Sequence, residues 1–532
     1  MFRDKTARPL RRFFGCGSVL ALSAALATVL LATGAAAQDG QPVVLAPVVI
    51  DASVGDDDAA TVVATRSSAG SKMAAELLDT PASVSVITAR EIQARNATSV
   101  EQVLAYSAGV TADFYGSDDR FDNFRIRGFG VYTYRDGLSL GRPFGNIREE
   151  VFAFERVEVI RGANSTTFGI SDPGGMVNYV TKRARPERFG DIHVAAGSND
   201  HAEVGFDFGD RITPDGTLSY RLTGKLRDAS AEYDHSRDDE TFLMAGVTWQ
   251  PDAATSLSVT LDHLNRDGVP GSGGHPVGTD FDRSRFFGEP DYNYRGTDRT
   301  TLTAIFDHDF GGGLTVGSTL RYAESKTDFG YAYITGISTE APTTATRDYF
   351  GNEGSAKEFA WDARLQYDRR FGDVASRSLI RVEYRDTTSR TATCWGNAPA
   401  INWQNPVYTG RPASVPLLRS SISDQETKAV YLQQELSFAD RYILTAGLRR
   451  DWLDITQTDR LSGVAESGEV SETTGRVALT YKATPELSVY GSYAGIGRAG
   501  IADRRTRTRR AVRTGPEIPA RRVADAGVGG AL

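Results

Sequence analysis

Cysteine is scarce in these 532 residues. Only Cys16 and Cys394 occur, far apart, which excludes a disulfide scaffold and a cysteine-rich metal protein. Methionine (4) and histidine (6) are also few, and no His/Cys/carboxylate cluster has metal-ligand spacing. Past the first 37 residues no apolar run approaches the ~20 residues of a membrane helix, so a helical membrane protein is excluded. Nucleophile elbow, P-loop and His-Glu-x-x-His are all missing, and no carboxylate pair stands out for acid–base work, so no enzyme is expected. What the chain does have is 54 glycines, 21 tyrosines and 25 phenylalanines, a composition suited to β-structure with many turns.

The first 37 residues read as an export signal. Arg3, Lys5, Arg8, Arg11 and Arg12 precede an apolar stretch from Val19 to Leu31, and Ala35-Ala36-Ala37 offers a cleavage site before Gln38. Arg11-Arg12-Phe13-Phe14 hints at a twin-arginine signal, although adjacent arginines are common in ordinary signals. Removing this segment, with five basic residues and one acidic, takes the net charge from −8 to −12. Cys394 would then be a lone thiol in an oxidising compartment.

From residue 188 onward the pattern alternates with a period of two. Leu218, Tyr220, Leu222 and Leu226 point one way, and Ser219, Arg221, Thr223, Lys225 and Arg227 the other. The same alternation recurs in Leu257-Val259-Leu261, Leu302-Ala304-Phe306, Tyr442-Leu444-Ala446-Leu448 and Val477-Leu479-Tyr481. Short turns such as Pro214-Asp215-Gly216 and Gly311-Gly312-Gly313 separate some segments, while 265–297, 328–354 and 391–424 read as long loops. Alternation alone does not say whether water or lipid meets the apolar side, so a soluble β-sandwich is the rival. The export signal, the loop asymmetry and aromatics near strand ends (Trp249, Tyr322, Trp452, Tyr493) favour lipid. About 13 strands are expected to residue 495 by the strand-length rule, too few for a plugged transporter.

Residues 73–183 differ. Val84-Val86 reads as a strand, Ala89 to Leu104 as helical segments, and short mixed elements follow, as in a globular α+β unit. Before it, 38–72 reads as linker, with Gly55-Asp56-Asp57-Asp58 solvated. The stretch 498–532 holds nine arginines against three acidic residues, with no aromatic and no alternation. A nucleic-acid tail is improbable on an exported acidic protein, and a stretch read in a shifted frame is the preferred account.

Specific motifs stand in the α+β unit. Asp79-Thr80-Pro81-Ala82-Ser83-Val84-Ser85-Val86 is followed by Ser99-Val100-Glu101-Gln102-Val103-Leu104, then Ile126-Arg127-Gly128-Phe129, Tyr134-Arg135-Asp136-Gly137-Leu138, Glu155-Arg156-Val157-Glu158-Val159-Ile160-Arg161-Gly162 and Pro173-Gly174-Gly175-Met176. In this order they resemble the plug of TonB-dependent outer-membrane receptors, most closely the ferric-siderophore (ferrichrome-type) branch. The resemblance implies an antiparallel membrane β-barrel, 22-stranded in the family and incomplete here, behind an N-terminal α+β plug. The implied organisation is signal peptide 1–37, TonB box and linker 38–72, plug 73–183, partial barrel 184–497 and an aberrant Arg-rich tail 498–532. Ser488 to Ala494 looks like a family strand, but the strands that should follow it are missing, as in a truncated or frameshifted product.

The resemblance also implies function. Leu45-Ala46-Pro47-Val48-Val49-Ile50, after Val44, resembles the TonB box, an extended segment able to add as a strand to a periplasmic partner. Arg127 and Arg161 would pair with carboxylates on the barrel wall. Outward plug positions Tyr115, Tyr132, Tyr134, Arg135, Arg142 and Phe144 would meet the ligand, with Trp395 and Trp403 from the barrel loops and Tyr408, Tyr331 and Tyr333 behind them. The expected partners are a ferric siderophore (hydroxamate type favoured), the TonB energy-coupling complex and outer-membrane lipid, with no nucleic acid. No cofactor is expected, since iron would arrive already chelated. The implied activity is energised import across the outer membrane of a Gram-negative bacterium. Alternatives are a non-transporting remnant, a surface-binding (adhesin or phage-docking) protein, or a receptor for haem or cobalamin.

Overall fold

The computed structural model describes residues 61–495 and the backbone of 523–530, apart from 69, 71, 73–74, 115–119, 142–146, 272–277 and 279. The export signal, the segment Leu45 to Ile50, and Tyr115, Arg142 and Phe144 lie outside the described residues.

In chain order the plug carries β1 (Arg66–Ser67), β2 (Ala75–Glu76), β3 (Ser83–Thr88), α1 (Ala89–Ala94), α2 (Val100–Leu104), β4 (Val110–Ala112), β5 (Phe124–Ile126), β6 (Tyr132–Arg135), β7 (Leu138–Gly141), β8 (Phe154–Arg161), α3 (Ser165–Phe168) and β9 (Gly175–Thr181). The helical stretch from Ala89 divides because Asn96 takes a positive φ of 49°. Each half has its own cap: Thr88 Oγ1 accepts from the Glu91 amide, and Ser99 Oγ from the Gln102 amide. A mixed sheet of order β3-β8-β9-β6-β7 forms the centre. Two of the motifs are tight hairpin turns. Arg127 (φ 52°) with Gly128 (φ 79°), and Asp136 (φ 52°) with Gly137 (φ 78°), put both central residues at positive φ, the backbone of a type I′ turn. Gly174 and Gly175 permit close approach, since a Cβ there would stand 2.2 Å from Ile126 O and 2.1 Å from Ile160 O respectively.

The second layer is an antiparallel sheet in which each strand pairs with the next. Its strands are β10 (Phe189–Ala196), β11 (Ala202–Arg211), β12 (Leu218–Asp228), β13 (Arg237–Asp252), β14 (Thr255–Val269), β15 (Tyr294–Asp309), β16 (Leu314–Ile337), β17 (Thr344–Phe371), β18 (Val374–Asn402), β19 (Leu417–Phe438), β20 (Tyr442–Asp459), β21 (Ala465–Thr484), β22 (Leu487–Ala494) and β23 (Val523–Gly530). Thirteen of these fourteen precede residue 495, and the described sheet is open, with β10 and β23 at its edges. The strand in the Arg-rich tail departs from the expectation of no strand there. Val523 and Val528 are five apart and make no period-two face, but the free edge of β22 accepts the backbone in register, Ala494 opposite Val523 and Leu487 opposite Gly530.

Alternation sorts the side chains. Leu222, Leu243, Val247, Leu261, Leu432, Leu448, Val477 and Leu479 are exposed on the outer face, as are Trp249, Tyr322, Trp452 and Tyr493. Facing inward, Phe242, Met244 and Leu264 join Val100, Leu104, Phe154, Val157, Val159 and Tyr179 of the plug in one apolar core. Burying each such side chain is worth about 1.5–3 kcal/mol. No described helix is long and apolar enough to cross a membrane. An apolar outer band on strands that face a polar interior is the pattern of a lipid-facing barrel wall.

Two of the expected long loops are mostly strand. β17 runs 28 residues and β18 29, well beyond the ~9–11 residues that cross a bilayer. The connection expected over 328–354 shrinks to 338–343, and that over 391–424 to 403–416, while 270–293 stays long. Polar residues on both faces hid these extensions, because past the hydrocarbon zone neither face needs to be apolar. The short connections 310–313, 372–373 and 439–441 cluster at the opposite, periplasmic end.

Candidate functional site

The plug is seated by buried ion pairs with the wall. Barrel cations meet plug carboxylates: Arg221 Nη1 is 3.1 Å from Glu155, Lys225 Nζ 2.8 Å from Glu150, Arg266 Nη2 3.2 Å from Glu150, and Arg299 Nη1 2.5 Å from Glu149. Plug cations meet wall carboxylates as well: Arg135 with Asp262 at 2.8 Å, Lys182 with Asp207 at 2.8 Å, and Lys72 with Asp362 at 3.2 Å. Burial, reinforced by the carboxylate of Glu240, pushes Glu150 up to about 7, against the opposing pull of Lys225 and Arg266. Glu158 goes the other way. Burial alone raises it, but Arg156 and hydrogen bonds from Asn178 and Ser68 hold it below the ordinary carboxylate range.

Arg161 does not reach a wall carboxylate as expected. Its Nε donates to Ala108 O at 2.5 Å and its Nη1 to Ser85 Oγ at 3.0 Å, both inside the plug, and burial together with Arg127 lowers its pKa. Arg127 is an exposed turn residue whose backbone N–H donates to Gly109 O. The charges that seat the plug are instead those of Glu149, Glu150 and Glu155 and of the polar strand face carrying Arg221 and Lys225. Their signal in the sequence was charge on the inward side of an alternating strand.

Tyr134 and Arg135 are buried, not presented to a ligand. The Tyr134 hydroxyl donates to Phe168 O at 3.1 Å, its ring stands edge-on to Phe168, and burial raises its pKa. Arg135 also donates from Nε to Thr181 Oγ1 at 2.9 Å. Both side chains are almost fully covered, Tyr134 at 1% and Arg135 at 2% exposure. Tyr132 is half-buried and lines a cavity of about 110 Å³ between plug and wall. Trp403 is also turned away: its Nε1 donates to Pro342 O at 2.8 Å and it packs with Phe287, Ile334 and Ile401. Tyr408 closes the same loop layer by donating to Phe286 O at 3.0 Å.

The outer mouth is built by other aromatics. Registers place Tyr331 opposite Phe350, and Phe350 opposite Trp395, so one row crosses β16, β17 and β18. The row shares the face of Arg321, whose guanidinium reaches Arg135 O and Leu138 O of the plug, so it points toward the plug. Tyr331 stacks on Tyr333 with centroids 5.0 Å apart, and Phe329 lies 5.7 Å from Phe350. Arg120 of the plug stands over Phe329 at 4.9 Å and Tyr331 at 4.7 Å, a cation–π pairing. Trp395 is 42% exposed, leaving ring area open toward the mouth. Sequence reasoning named Trp395, Tyr331 and Tyr333 but missed Phe350 and Phe329, whose signal is only their register, and Arg120, which a plug loop brings to them.

Above the row, Glu289 ties the loops. It is fully buried with Arg347 at 2.6 Å and accepts from the amides of Thr409 and Gly410, both at 2.9 Å. Among the described residues no group of three or more His, Cys, Asp or Glu could hold a metal.

Residues 248–525 match the family model "TonB dependent receptor-like, beta-barrel", and 76–176 match "TonB-dependent Receptor Plug Domain". The chain belongs to the TonB-dependent receptor family. Its place is the outer membrane of a Gram-negative bacterium. Among curated relatives, the ferrichrome outer membrane transporter/phage receptor of Escherichia coli (strain K12) is 28% identical over 539 residues, covering 93% of this chain and 71% of the relative. The ferrioxamine B receptor of Salmonella typhimurium (strain SL1344) is 28% identical over 454 residues, covering 82% of this chain. This chain spans 64% of that receptor's length. In fold it is similar to the closed form of the ferric-catecholate import receptor Fiu from E. coli K12, with a TM-score of 0.74, 21% identity, and coverage of 82% and 68% of the two chains.

Proposed function

We propose that this receptor binds a ferric siderophore at its outer mouth and delivers it to the periplasm by TonB-dependent active transport. The observation that carries the reading is the aromatic row Tyr331–Phe350–Trp395, facing a plug cation at the open end of a plugged wall. Such a surface suits a bulky, oxygen-rich chelate, with flat apolar area beside a guanidinium. The names of the ferrichrome and ferrioxamine B receptors favour a hydroxamate ligand. Iron travels as cargo of the chelate, with no resident cofactor, and the ligand moves without chemical change. The segment Leu45 to Ile50 recruits the energy-coupling partner. The test is uptake of radio-iron as ferrichrome and ferrioxamine B in cells whose only receptor is this chain, with and without TonB. Uptake that needs TonB supports the reading, and uptake of neither chelate refutes it.

A further inference from the structure

The wall of the mouth divides charge between its two faces. Two rungs below the aromatic row, strand register aligns Thr327, Gly354, Thr391 and Ser421 across β16 to β19. The next rung down aligns Ser325, Ala356, Ser389 and Ser423. Both rungs share the face of Arg321 and so line the interior, about 13 and 20 Å below Tyr331. No residue in either rung is charged, and all but Gly354 and Ala356 carry a hydroxyl. The outer face of the same stretch carries Glu324, Lys326, Lys357, Arg390 and Asp424.

Folding does not demand this division. Above the hydrocarbon zone both faces meet water, and a charge is as readily placed on one as on the other. The outer side chains also bond one another, Lys357 to Glu324 at 2.7 Å and Thr388 to Asp424 at 2.6 Å. No described side chain engages the inner hydroxyls, which are left for whatever enters.

The surrounding charges leave no surplus of either sign. From the Arg321 rung upward, the interior of β16 to β21 carries Arg321, Arg385 and Arg419 as cations. Against them stand Asp348, Glu358, Asp459 and Glu466, and Arg120 of the plug brings the sum to zero. Arg321 and Arg385 are moreover committed to Glu358, and Arg299, which continues the lower rung on β15, to Glu149 and Asp262. A polyanion entering here gives up hydration with no net positive charge to replace it, whereas a neutral, oxygen-rich chelate meets hydroxyls. A ferric tris-hydroxamate is neutral, since three monoanions cancel the ferric charge, and a ferric tris-catecholate is a trianion.

We infer that this mouth selects by charge: it admits the neutral tris-hydroxamate and turns the trianion away, with the hydroxyls of Ser389, Thr391, Ser421 and Ser423 bonding the chelate's oxygens below the aromatic row. This rests on the siderophore reading above and adds the charge class of the chelate and the residues that discriminate.

The test is a titration of tryptophan fluorescence in the purified full chain, with ferrichrome as the neutral tris-hydroxamate and ferric enterobactin as the trianionic tris-catecholate. Ferrichrome should bind about 100-fold more tightly or better. Thr391→Val with Ser421→Ala should weaken ferrichrome about tenfold, and Ser389→Lys with Ser423→Lys should tighten ferric enterobactin about tenfold. Ser355→Lys with Thr388→Lys, at the same height on the outer face, is the control and should change neither affinity. Equal affinity of the wild type for the two chelates overturns the selection by charge. Wild-type ferrichrome affinity in the hydroxyl-free variant, or lysines that act alike from both faces, overturns the assignment to these rungs. If the wild-type chain binds neither chelate, the siderophore reading itself has failed and the inference falls with it.

Discussion

Arg135 at the end of β6 and Asp262 in the middle of β14 face each other across the plug–wall boundary, both almost fully buried, with Nη2 2.8 Å and Nη1 3.4 Å from the carboxylate oxygens. Residues 127 apart in sequence thus form a two-pronged contact that fixes one edge of the plug. Arg135→Ala should destabilise plug docking by about 3 kcal/mol, because the buried Asp262 then keeps only Arg299, 3.6 Å away, as a partner. Arg135→Ala with Asp262→Ala should recover part of that loss. Denaturant unfolding in detergent micelles gives both values, and equal losses in the single and double variants would contradict the pairing.

Glu150 predicts a pH dependence with a defined sign. Its pKa rises from 4.5 to about 7 in the folded protein, so the folded state holds a proton that the unfolded chain releases between those values. The stability it contributes is therefore full below about pH 4.5 and is lost as the pH climbs through about 7. Glu150→Gln removes this slope. Melting temperatures from pH 5 to 8 should fall for the wild type relative to the variant, and parallel curves would refute the assignment.

Trp395 and Trp403 should separate cleanly. Trp395→Ala removes one end of the aromatic row and should weaken chelate binding about tenfold, ~1.4 kcal/mol, with little effect on stability. Trp403→Ala empties a packed loop core and should cost about 3–5 kcal/mol, leaving the loops open to proteolysis. Titration of both variants with ferrichrome and a protease time course distinguish them, and the reverse pattern would exchange their roles.

Gly175→Ala should disrupt the plug by about 1–3 kcal/mol, since the new methyl group meets Ile160 O at 2.1 Å and the backbone stands at φ 139°. Hydrogen exchange of the β8 and β9 amides measures this locally. Gly491→Ala, where no atom lies within 4 Å of the new carbon, is the matched control and should be close to neutral.

Register decided what the sequence left open at the mouth. Tyr331 and Trp395 stood in stretches expected as separate loops, yet two strand pairings bring them into one row through Phe350, which no sequence pattern distinguishes from its neighbours. The family resemblance placed Tyr134 and Arg135 among the outward plug positions, but in the structure both side chains are buried between plug and wall. Arg161 looked like a charge seeking the wall, whereas Ser85 and Ala108 were nearer.

What the sequence determined alone is whatever rests on local rules: alternation that puts apolar side chains outward on strands such as β12, β14 and β20, type I′ turns at Arg127-Gly128 and Asp136-Gly137, helix caps at Thr88 and Ser99, and ordered motifs that mark the plug. Those follow from backbone sterics and from a period of two, both readable residue by residue. Only the tertiary structure decided which charges meet across the plug–wall boundary and which aromatics share a face. A buried ion pair forms wherever folding carries two opposite charges out of water together, and Lys72 finds Glu383 across 311 residues of chain that hold no record of the meeting.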